Sequence, residues 1–343
     1  MRCTHWLTGL LLLSLAWGCR PPDRTVYPAF YHWKASFQPT AAEWKLLAAT
    51  ETQRLYLRYF DVDWSPARQE VVPIAPTKMT AAPPEGLEIV PTVYLTNRSL
   101  YNTPSAQIGS LAGSIAGLLR QKVKPTIWSQ VREIQIDCDW SGQTRERYFQ
   151  LLDTLRAALA PKQLSVTIRL HQLKYAAKTG IPPADRGMLM YYNMGDLDDP
   201  EEVNSILDLV EGERYLRDFR GYPLPLDVAL PIFSWGVVRR RGRPVRLLNG
   251  LRTAEAERAR GLEKIRPNHF KVAESRYFRD EYLYRGDQIR IESVSDSSLL
   301  AAAKRLGSTL DGEARHVALY HLDSSTIGYY DLETFTAVWD AFR

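Results

Sequence analysis

The sequence predicts an α/β protein, a (β/α)8 barrel of the TIM type with a β-rich insertion between its seventh and eighth strands. Two patterns predict this fold. Short β-rich runs alternate with helical runs eight times along residues 28–343, as expected of repeated βα units in one barrel domain. A stretch of about 80 residues then separates the last two β-rich runs, which is far longer than an ordinary βα loop.

The composition is that of a folded protein with a large core. Apolar side chains make up 45% of the chain and charged side chains 24%. The net charge of +5, from 44 basic and 39 acidic groups, is a mild bias that gives no basis for nucleic-acid binding. Cysteines occur only at positions 3, 19 and 138, and this spacing predicts no disulfide framework.

The amino-terminal end has the pattern of a secretory signal over residues 1–18, because a basic start precedes a leucine-rich run too short to span a membrane. The run ends in a segment that resembles the lipobox of bacterial lipoproteins, Leu15-Ala16-Trp17-Gly18-Cys19. This resemblance implies lipidation of Cys19, a lipidated tether over residues 19–27 and contact with a membrane through the lipid anchor. The implied location is the bacterial cell envelope, on its periplasmic or cell-surface side. A secreted protein with another cleavage site is the alternative.

The eight strands are predicted in order by short runs of β-branched, aromatic and aliphatic residues, at 29–33, 55–60, 88–95, 133–139, 164–171, 188–194, 226–235 and 316–322. Helices are predicted between them. The first begins at a capping box formed by Thr40 and Glu43. Apolar residues at helical spacing predict the others, at 108–121, 145–160, 201–209, 299–306 and 332–342.

The insertion is predicted at about residues 237–293. One hairpin turns at Gly242, and a second pairs 281–284 with 288–292 through a turn at Gly286. We expect these hairpins to cover one end of the barrel without a core of their own.

Polar residues cluster where the strands end, which is where barrels of this type build their sites. On the fourth strand, alternation puts Asp137 and Asp139 on the inner face, while Ile136 and Cys138 face the helices. The other strands add candidate binding residues at the same mouth: Trp33, Arg58, Asp61, Trp140, Arg169, His171, Tyr192, Asn193 and Trp235.

This mixture of carboxylates and aromatic rings predicts a glycan site. Aromatic faces stack on the apolar face of a pyranose, and carboxylates bind its hydroxyls or protonate a glycosidic oxygen. Asp137 and Asp139 are therefore the candidate catalytic residues. Two alternatives remain: Arg58 and Arg169 neutralise the carboxylates in structural ion pairs, and the tryptophans pack in the core at the barrel rim.

No cofactor and no metal site are predicted. His32, His171 and His321 lack the spacing typical of metal ligands, and the sequence has neither a nucleophile elbow nor a phosphate loop. The arginines at 239–243 fit either a solvated hairpin tip or a contact with an anionic glycan or phospholipid headgroup.

Two short motifs carry a resemblance to a known family. The run Ile136-Asp137-Cys138-Asp139-Trp140-Ser141 resembles the Asp-x-Asp-Trp-Glu signature of family 18 glycoside hydrolases, the chitinase-like barrels. The run Met190-Tyr191-Tyr192-Asn193 resembles the Met-x-Tyr-Asp strand of the same family. More broadly, the chain resembles bacterial lipoprotein barrels grouped near the glycosidases. The resemblance implies a polysaccharide or oligosaccharide partner.

The sequence departs from the family pattern at three positions. Ser141 stands where the family has the glutamate that acts as general acid, Ile134 stands in place of the leading aspartate, and Asn193 in place of the aspartate of strand six. Two functions are therefore open. In one, the barrel has lost its acid and binds carbohydrate without catalysis. In the other, Asp137 or Asp139 hydrolyses a glycosidic bond with a second carboxylate from Asp61, Asp63, Asp196 or Glu274.

Overall fold

The computed structural model describes residues 24–217, 219–312 and 314–343, so the predicted signal peptide and Cys19 lie outside the described residues. In this part of the chain the strands are β1 Thr25–His32, β2 Ser36–Phe37, β3 Arg54–Ser65, β4 Glu70–Ile74, β5 Lys78–Met79, β6 Glu88–Leu95, β7 Glu133–Asp137, β8 Gln163–Arg169, β9 Arg186–Met190, β10 Leu226–Pro231, β11 Ser234–Arg240, β12 Arg243–Asn249, β13 Leu262–Arg266, β14 His269–Val272, β15 Arg276–Phe278, β16 Glu281–Leu283, β17 Gln288–Ser293 and β18 Ala314–Tyr320. The α-helices of the same residues are α1 Ala41–Ala49, α2 Asn97–Asn102, α3 Ile108–Lys122, α4 Pro125–Trp128, α5 Arg145–Leu159, α6 Leu170–Lys174, α7 Ala176–Thr179, α8 Leu209–Leu216, α9 Thr253–Arg258, α10 Asp296–Thr309, α11 Ser324–Ile327 and α12 Leu332–Asp340.

Eight parallel strands close into a barrel in the order β1, β3, β6, β7, β8, β9, β10 and β18. Closure is direct, because β1 pairs in parallel with both β3 and β18. This confirms the predicted (β/α)8 barrel. Its first strand begins at Thr25, so the last residues of the predicted tether, up to Tyr27, belong to β1.

Side-chain alternation separates two apolar layers. Inside the ring lie residues such as Tyr31, Tyr56 and Met190, and the larger layer between strands and helices contains Ile136 and Cys138. The inner face of β7 is therefore left to its polar residues, as predicted from period-two alternation.

The helix predicted at 201–209 is wrong, because α8 begins only at Leu209. The preceding segment folds into turns in which side chains accept hydrogen bonds from nearby backbone amides. Asp196 accepts from the amide of Asp198 at 2.8 Å, and Asn204 accepts from the amide of Ile206 at 3.1 Å. Such local bonds compete with the helical hydrogen bonds that the apolar spacing predicted.

The insertion forms a five-stranded sheet in the order β12, β11, β17, β14 and β13. The predicted hairpin at Gly242 is confirmed, since β11 and β12 are antiparallel neighbours. The second predicted hairpin is wrong: β16 pairs with β15, while β17 pairs with β11 and β14.

The expectation that the insertion lacks its own core is also wrong. One face of its sheet is covered by α9 and the hairpin β15–β16, and these enclose a separate apolar cluster that includes Val238, Phe270, Leu283 and Ile289. Side chains on both faces of β11 and β17 are buried. One face packs on this apolar cluster and the other packs toward the barrel. None of the helices within the described ranges is both long and apolar enough to cross a bilayer.

Candidate functional site

An open cleft of about 550 Å³ lies at the carboxyl ends of the barrel strands. Side chains from both the barrel and the insertion line it, namely Trp33, Lys34, Tyr94, Asp137, Arg169, Tyr192, Asn193, Phe233, Ser234, Trp235, Asn249, Gly250, Tyr320, His321, Asp323, Ser325 and Thr326. The position agrees with the mouth in which the sequence predicted a site.

Asp137 is the most buried carboxylate of the cleft. It is the last residue of β7, and it accepts a hydrogen bond from Thr167 Oγ1 on β8 at 2.7 Å. Arg169 Nη2 lies 3.9 Å from its Oδ1. Burial raises the pKa of Asp137 despite this neighbouring guanidinium.

Arg169 connects Asp137 to Asp139. Its Nε donates to Asp139 Oδ1, and its Nη2 lies 3.5 Å from Asp139 Oδ2. The side chain of Asp139 is 45% exposed, so it is the carboxylate of this group that solvent reaches. Arg169 also lies over the ring of Tyr192, with 5.8 Å between the guanidinium carbon and the ring centre. Both predicted carboxylates thus share one cation, as the ion-pair alternative expected.

Arg58 and Asp61 form the second predicted ion pair. Arg58 donates through Nε and Nη2 to the two carboxylate oxygens at 2.7 and 2.6 Å. A register shift in β3 between Arg58 and Phe60 adds one residue to the strand, which brings both charged side chains together at a spacing of three. The pair is not among the residues that line the cleft, but its charges act on the pKa of Tyr320, which does line it.

Aromatic rings form the walls of the cleft. Tyr320 lies at the centre, with its ring 5.9 Å from that of Trp33, 5.1 Å from that of Tyr192 and 5.8 Å from that of Phe233. Trp235 continues this wall, since its ring lies 5.3 Å from that of Phe233. A carbohydrate ring entering the cleft would meet several aromatic surfaces.

Trp235 reaches the cleft from a different element than predicted. The seventh barrel strand ends at Pro231, so Trp235 belongs to β11 of the insertion sheet. Its indole Nε1 donates to Glu292 Oε2 at 2.9 Å, and Glu292 is itself paired with Arg290 at 2.7 Å. The insertion therefore supplies one wall of the site and fixes its tryptophan.

The cleft also contains charged residues that were not among the predicted binding candidates. Lys34 lies 2.8 Å from Glu43 and 2.9 Å from Asp323. Burial acts to raise the pKa of Asp323, but hydrogen bonds from Lys34 and Ser325 outweigh it and hold that pKa at about 2. The position of Lys34 two residues after β1 was the available signal, because it follows the strand end directly.

His171 and Asn193 lie at an adjacent hollow of about 320 Å³, which also contains Asp139 and Arg169. The strand predicted through His171 ends at Arg169, and the exposed His171 belongs to α6. Asn193 lines both hollows and has a φ of 53°, a backbone conformation that asparagine tolerates better than most residues.

The prediction that Trp140 contacts substrate is wrong. Its side chain is 1% exposed, its ring stacks on Tyr148 at 5.0 Å, and its Nε1 donates to the carbonyl of Thr179 at 3.0 Å. Alternation explains the error: Asp139 faces the mouth, so the next residue is directed outward against α5. Trp140 belongs to the core, which was the alternative for the rim tryptophans.

Two of the other carboxylates predicted as second members of a catalytic pair form interactions outside the cleft. Asp63 pairs with Arg98 and accepts from Thr96 Oγ1 at 2.7 Å, and Asp196 stabilises the turn described above. Neither these residues nor Glu274 and Ser141 are among the side chains lining the cleft. Over residues 24–217, 219–312 and 314–343, no group of three or more histidine, cysteine, aspartate and glutamate side chains is arranged to hold a metal ion.

Comparison with solved structures shows the same fold at low sequence identity. The chain is similar to a chitinase from Chromobacterium violaceum, with 14% identity, a TM-score of 0.54 and coverage of 93% of this chain and 98% of that one. A spore cortex-lytic enzyme of Bacillus cereus matches with 12% identity, a TM-score of 0.53 and coverage of 94% and 75%. A chitinase from Bacteroides thetaiotaomicron matches with 11% identity, a TM-score of 0.53 and coverage of 93% and 96%. No protein-family model matches the sequence, and no curated protein matches it. The chain thus has the same barrel fold as these chitinases and this cortex-lytic enzyme.

Proposed function

We propose that the cleft binds an oligosaccharide without hydrolysing it. One observation carries this proposal: aromatic rings line the cleft, while the carboxylates that reach it are each paired with a cation or bound by a hydrogen-bond donor. Aromatic walls supply stacking surface for pyranose rings, and paired carboxylates still accept hydrogen bonds from sugar hydroxyls.

Hydrolysis by a pair of enzyme carboxyls needs a protonated carboxyl beside the scissile oxygen and a second carboxylate at about 5–9.5 Å. Asp323, with its pKa at about 2, stays ionised at neutral pH. Asp139 accepts a hydrogen bond from Arg169 and forms an ion pair with it. The position that the family resemblance assigns to the acid holds Ser141, whose hydroxyl cannot take that role at neutral pH.

Hydrolysis through Asp137 is the second candidate function. Burial raises the pKa of this carboxyl, it lines the cleft, and its partner Asp139 is half exposed. Two neighbouring carboxyls in different environments, one buried and one half exposed, are the arrangement that separates an acid from a base.

The test measures binding and hydrolysis on the full chain with the same ligands. The similar structures include chitinases and a spore cortex-lytic enzyme, so chitin oligosaccharides and peptidoglycan fragments are the first probes. We expect calorimetry to detect binding and reducing-end assays to detect no release. Trp33→Ala should weaken binding about tenfold, which corresponds to about 1.4 kcal/mol. Trp128→Ala is the matched control, because Trp128 contacts Lys162 rather than the cleft.

The outcomes separate the candidates. Release of reducing ends by the wild type that disappears in Asp137→Asn would replace the binding proposal with the hydrolase. Absence of both binding and release across the probes would remove both functions. Equal weakening in the Trp33 and Trp128 variants would show that the loss reflects stability rather than contact with the glycan.

We also propose that the mature protein begins at a lipidated Cys19 and is anchored in the cell envelope. The support is the lipobox-like segment that precedes Cys19. In a bacterial host, labelled fatty acid should be incorporated into the wild type and not into Cys19→Ser. Incorporation into both would place the lipid elsewhere.

A further inference from the structure

The outer hairpin of the insertion exposes three tyrosines in one row. Tyr277 on β15, Tyr282 on β16 and the following Tyr284 are 72%, 43% and 50% exposed. Adjacent rings in this tyrosine strip lie 5.0 Å apart, edge to face. Exposed rings grouped in this way indicate a binding surface more often than isolated ones do.

The strip is held in place from below and from one end. Leu283, between two of the tyrosines, is 1% exposed and packs in the core of the insertion. The guanidinium of Arg240 lies 4.1 Å from the centre of the Tyr284 ring. Asp287 fixes that guanidinium through two hydrogen bonds of 2.8 Å. The rings are therefore preorganised, which lowers the entropy cost of binding a ligand.

Positive charge surrounds the strip. Residues 240–246 and 276–287 contain seven arginines and three carboxylates. Asp287 pairs with Arg240, and Glu281 pairs with Arg246 at 3.2 Å. Arg241, Arg243 and Arg285 form no ion pair with any described residue. This excess of unpaired guanidinium groups is complementary to a polyanion.

One end of the strip adjoins the cleft. Arg279, in the turn between β15 and β16, donates through Nη1 to the carbonyl of Asn249. Asn249 lines the cleft at the end of β12. A ligand chain that leaves the cleft past Asn249 thus meets the hairpin next.

We propose that the tyrosine strip binds an acidic polysaccharide whose chain continues from the cleft. The inference rests on the proposed glycan binding and narrows its ligand to a polymer with carboxylate groups. Tyrosine rings would stack on successive sugar rings, and Arg241, Arg243 and Arg285 would pair with the carboxylates. Single-stranded nucleic acid also combines stacking with charge, but the contact with a glycan-type cleft favours the polysaccharide.

The test measures the affinity of the full chain for polygalacturonate by calorimetry. The double variant Tyr277→Ala, Tyr282→Ala should weaken binding at least tenfold, while the double variant to Phe, which keeps the rings, should stay within about threefold. Tyr101→Ala is the matched control, because Tyr101 is 61% exposed on α2 away from the insertion. Arg241→Gln with Arg243→Gln should weaken binding and reduce its dependence on salt.

Three results would overturn the inference. One is polygalacturonate affinity unchanged in the Tyr277 and Tyr282 alanine variant. The second is binding of oligothymidylate that is tighter than binding of polygalacturonate and is lost in this variant. The third is the same result with phosphatidylglycerol vesicles. Either of these two results would assign the strip to a different partner. The cleft is tested separately with short neutral oligosaccharides and Trp33→Ala. The short oligosaccharides could fail to bind while the tyrosine variant still lowers polygalacturonate affinity tenfold. That result would leave the strip as a polysaccharide site and remove the cleft function.

Discussion

Both ends of the barrel contain ion pairs between neighbouring strands. At the amino-terminal end, Arg54 lies 2.9 Å from Glu88 and 2.6 Å from Glu133. Near them Asp227 accepts from Arg186 Nε at 2.6 Å. At the carboxyl end, Arg169 similarly lies between two carboxylates of one strand end. The residue types are alike at the two ends.

The ends differ in access to solvent. The side chain of Asp227 is 1% exposed and that of Glu133 is 2% exposed, whereas that of Asp139 is 45% exposed. Burial of charge in a barrel interior requires a partner wherever it occurs, so pairing alone does not identify a site. The open cleft beside Arg169, with its aromatic walls, is what makes the carboxyl end the candidate site.

The largest expected effect lies at the amino-terminal end. Asp227→Ala removes a buried carboxylate that pairs with Arg186 and accepts a hydrogen bond from the His316 amide at 2.6 Å. We expect a loss of about 3–5 kcal/mol in the free energy of unfolding, measured in urea. Oligosaccharide affinity of the remaining folded protein should not change. A loss below about 1 kcal/mol would contradict the view that this end is a structural network.

A smaller effect is expected at a buried histidine of the first barrel strand. His32 is 0% exposed, neither ring nitrogen has a hydrogen-bond partner in the described structure, and burial lowers its pKa to about 4. Because the unfolded chain takes up this proton near pH 6.5, stability is present above that pH and falls as the pH decreases toward 4. The loss is about 3 kcal/mol. Between pH 7 and 4, the free energy of unfolding measured in urea should decrease less in His32→Leu than in the wild type. An identical slope in both proteins would refute the assignment.

The smallest effect on stability is expected at the pair of Arg169 and half-exposed Asp139, which lines the hollow beside the cleft. Asp139→Asn should change the free energy of unfolding by less than about 1 kcal/mol, since solvent screens a half-exposed pair. It should nevertheless weaken oligosaccharide binding, because the carboxylate lies at the mouth. Urea unfolding and calorimetry on the same samples measure the two quantities. A stability loss as large as that of Asp227→Ala would contradict the view that the carboxyl end differs from the amino-terminal structural network.

Much of the fold was predictable because its signals are local. Alternation along β7 placed Asp137 and Asp139 inward, and the capping box at Thr40 and Glu43 starts α1, where both reciprocal hydrogen bonds are present. The segment at 201–209 was not predictable from apolar spacing, because its aspartate and asparagine side chains bind the backbone instead.

The site was predictable only in part. Trp140 directly follows one predicted strand and Trp235 is the last residue of another, yet Trp140 packs against α5 and Trp235 reaches the cleft on the insertion sheet. Whether each tryptophan reaches the cleft depends on where its strand ends, and a sequence pattern predicts strand ends less reliably than it predicts the strands themselves. Lys34 was missed because its partners Glu43 and Asp323 come from distant elements.

Local pattern is enough to predict the eight-fold βα repeat and the inward direction of the carboxylates, and the residue identities give the serine at position 141. Those features follow from periodicity and residue identity. Contacts between distant elements determine which arginine pairs with which aspartate, which tryptophan enters the cleft and which tyrosines form the exposed strip. Closure of the ring through β1 and β18 and the folding of the insertion join residues far apart in the chain, and such contacts are set by packing of whole elements rather than by local pattern.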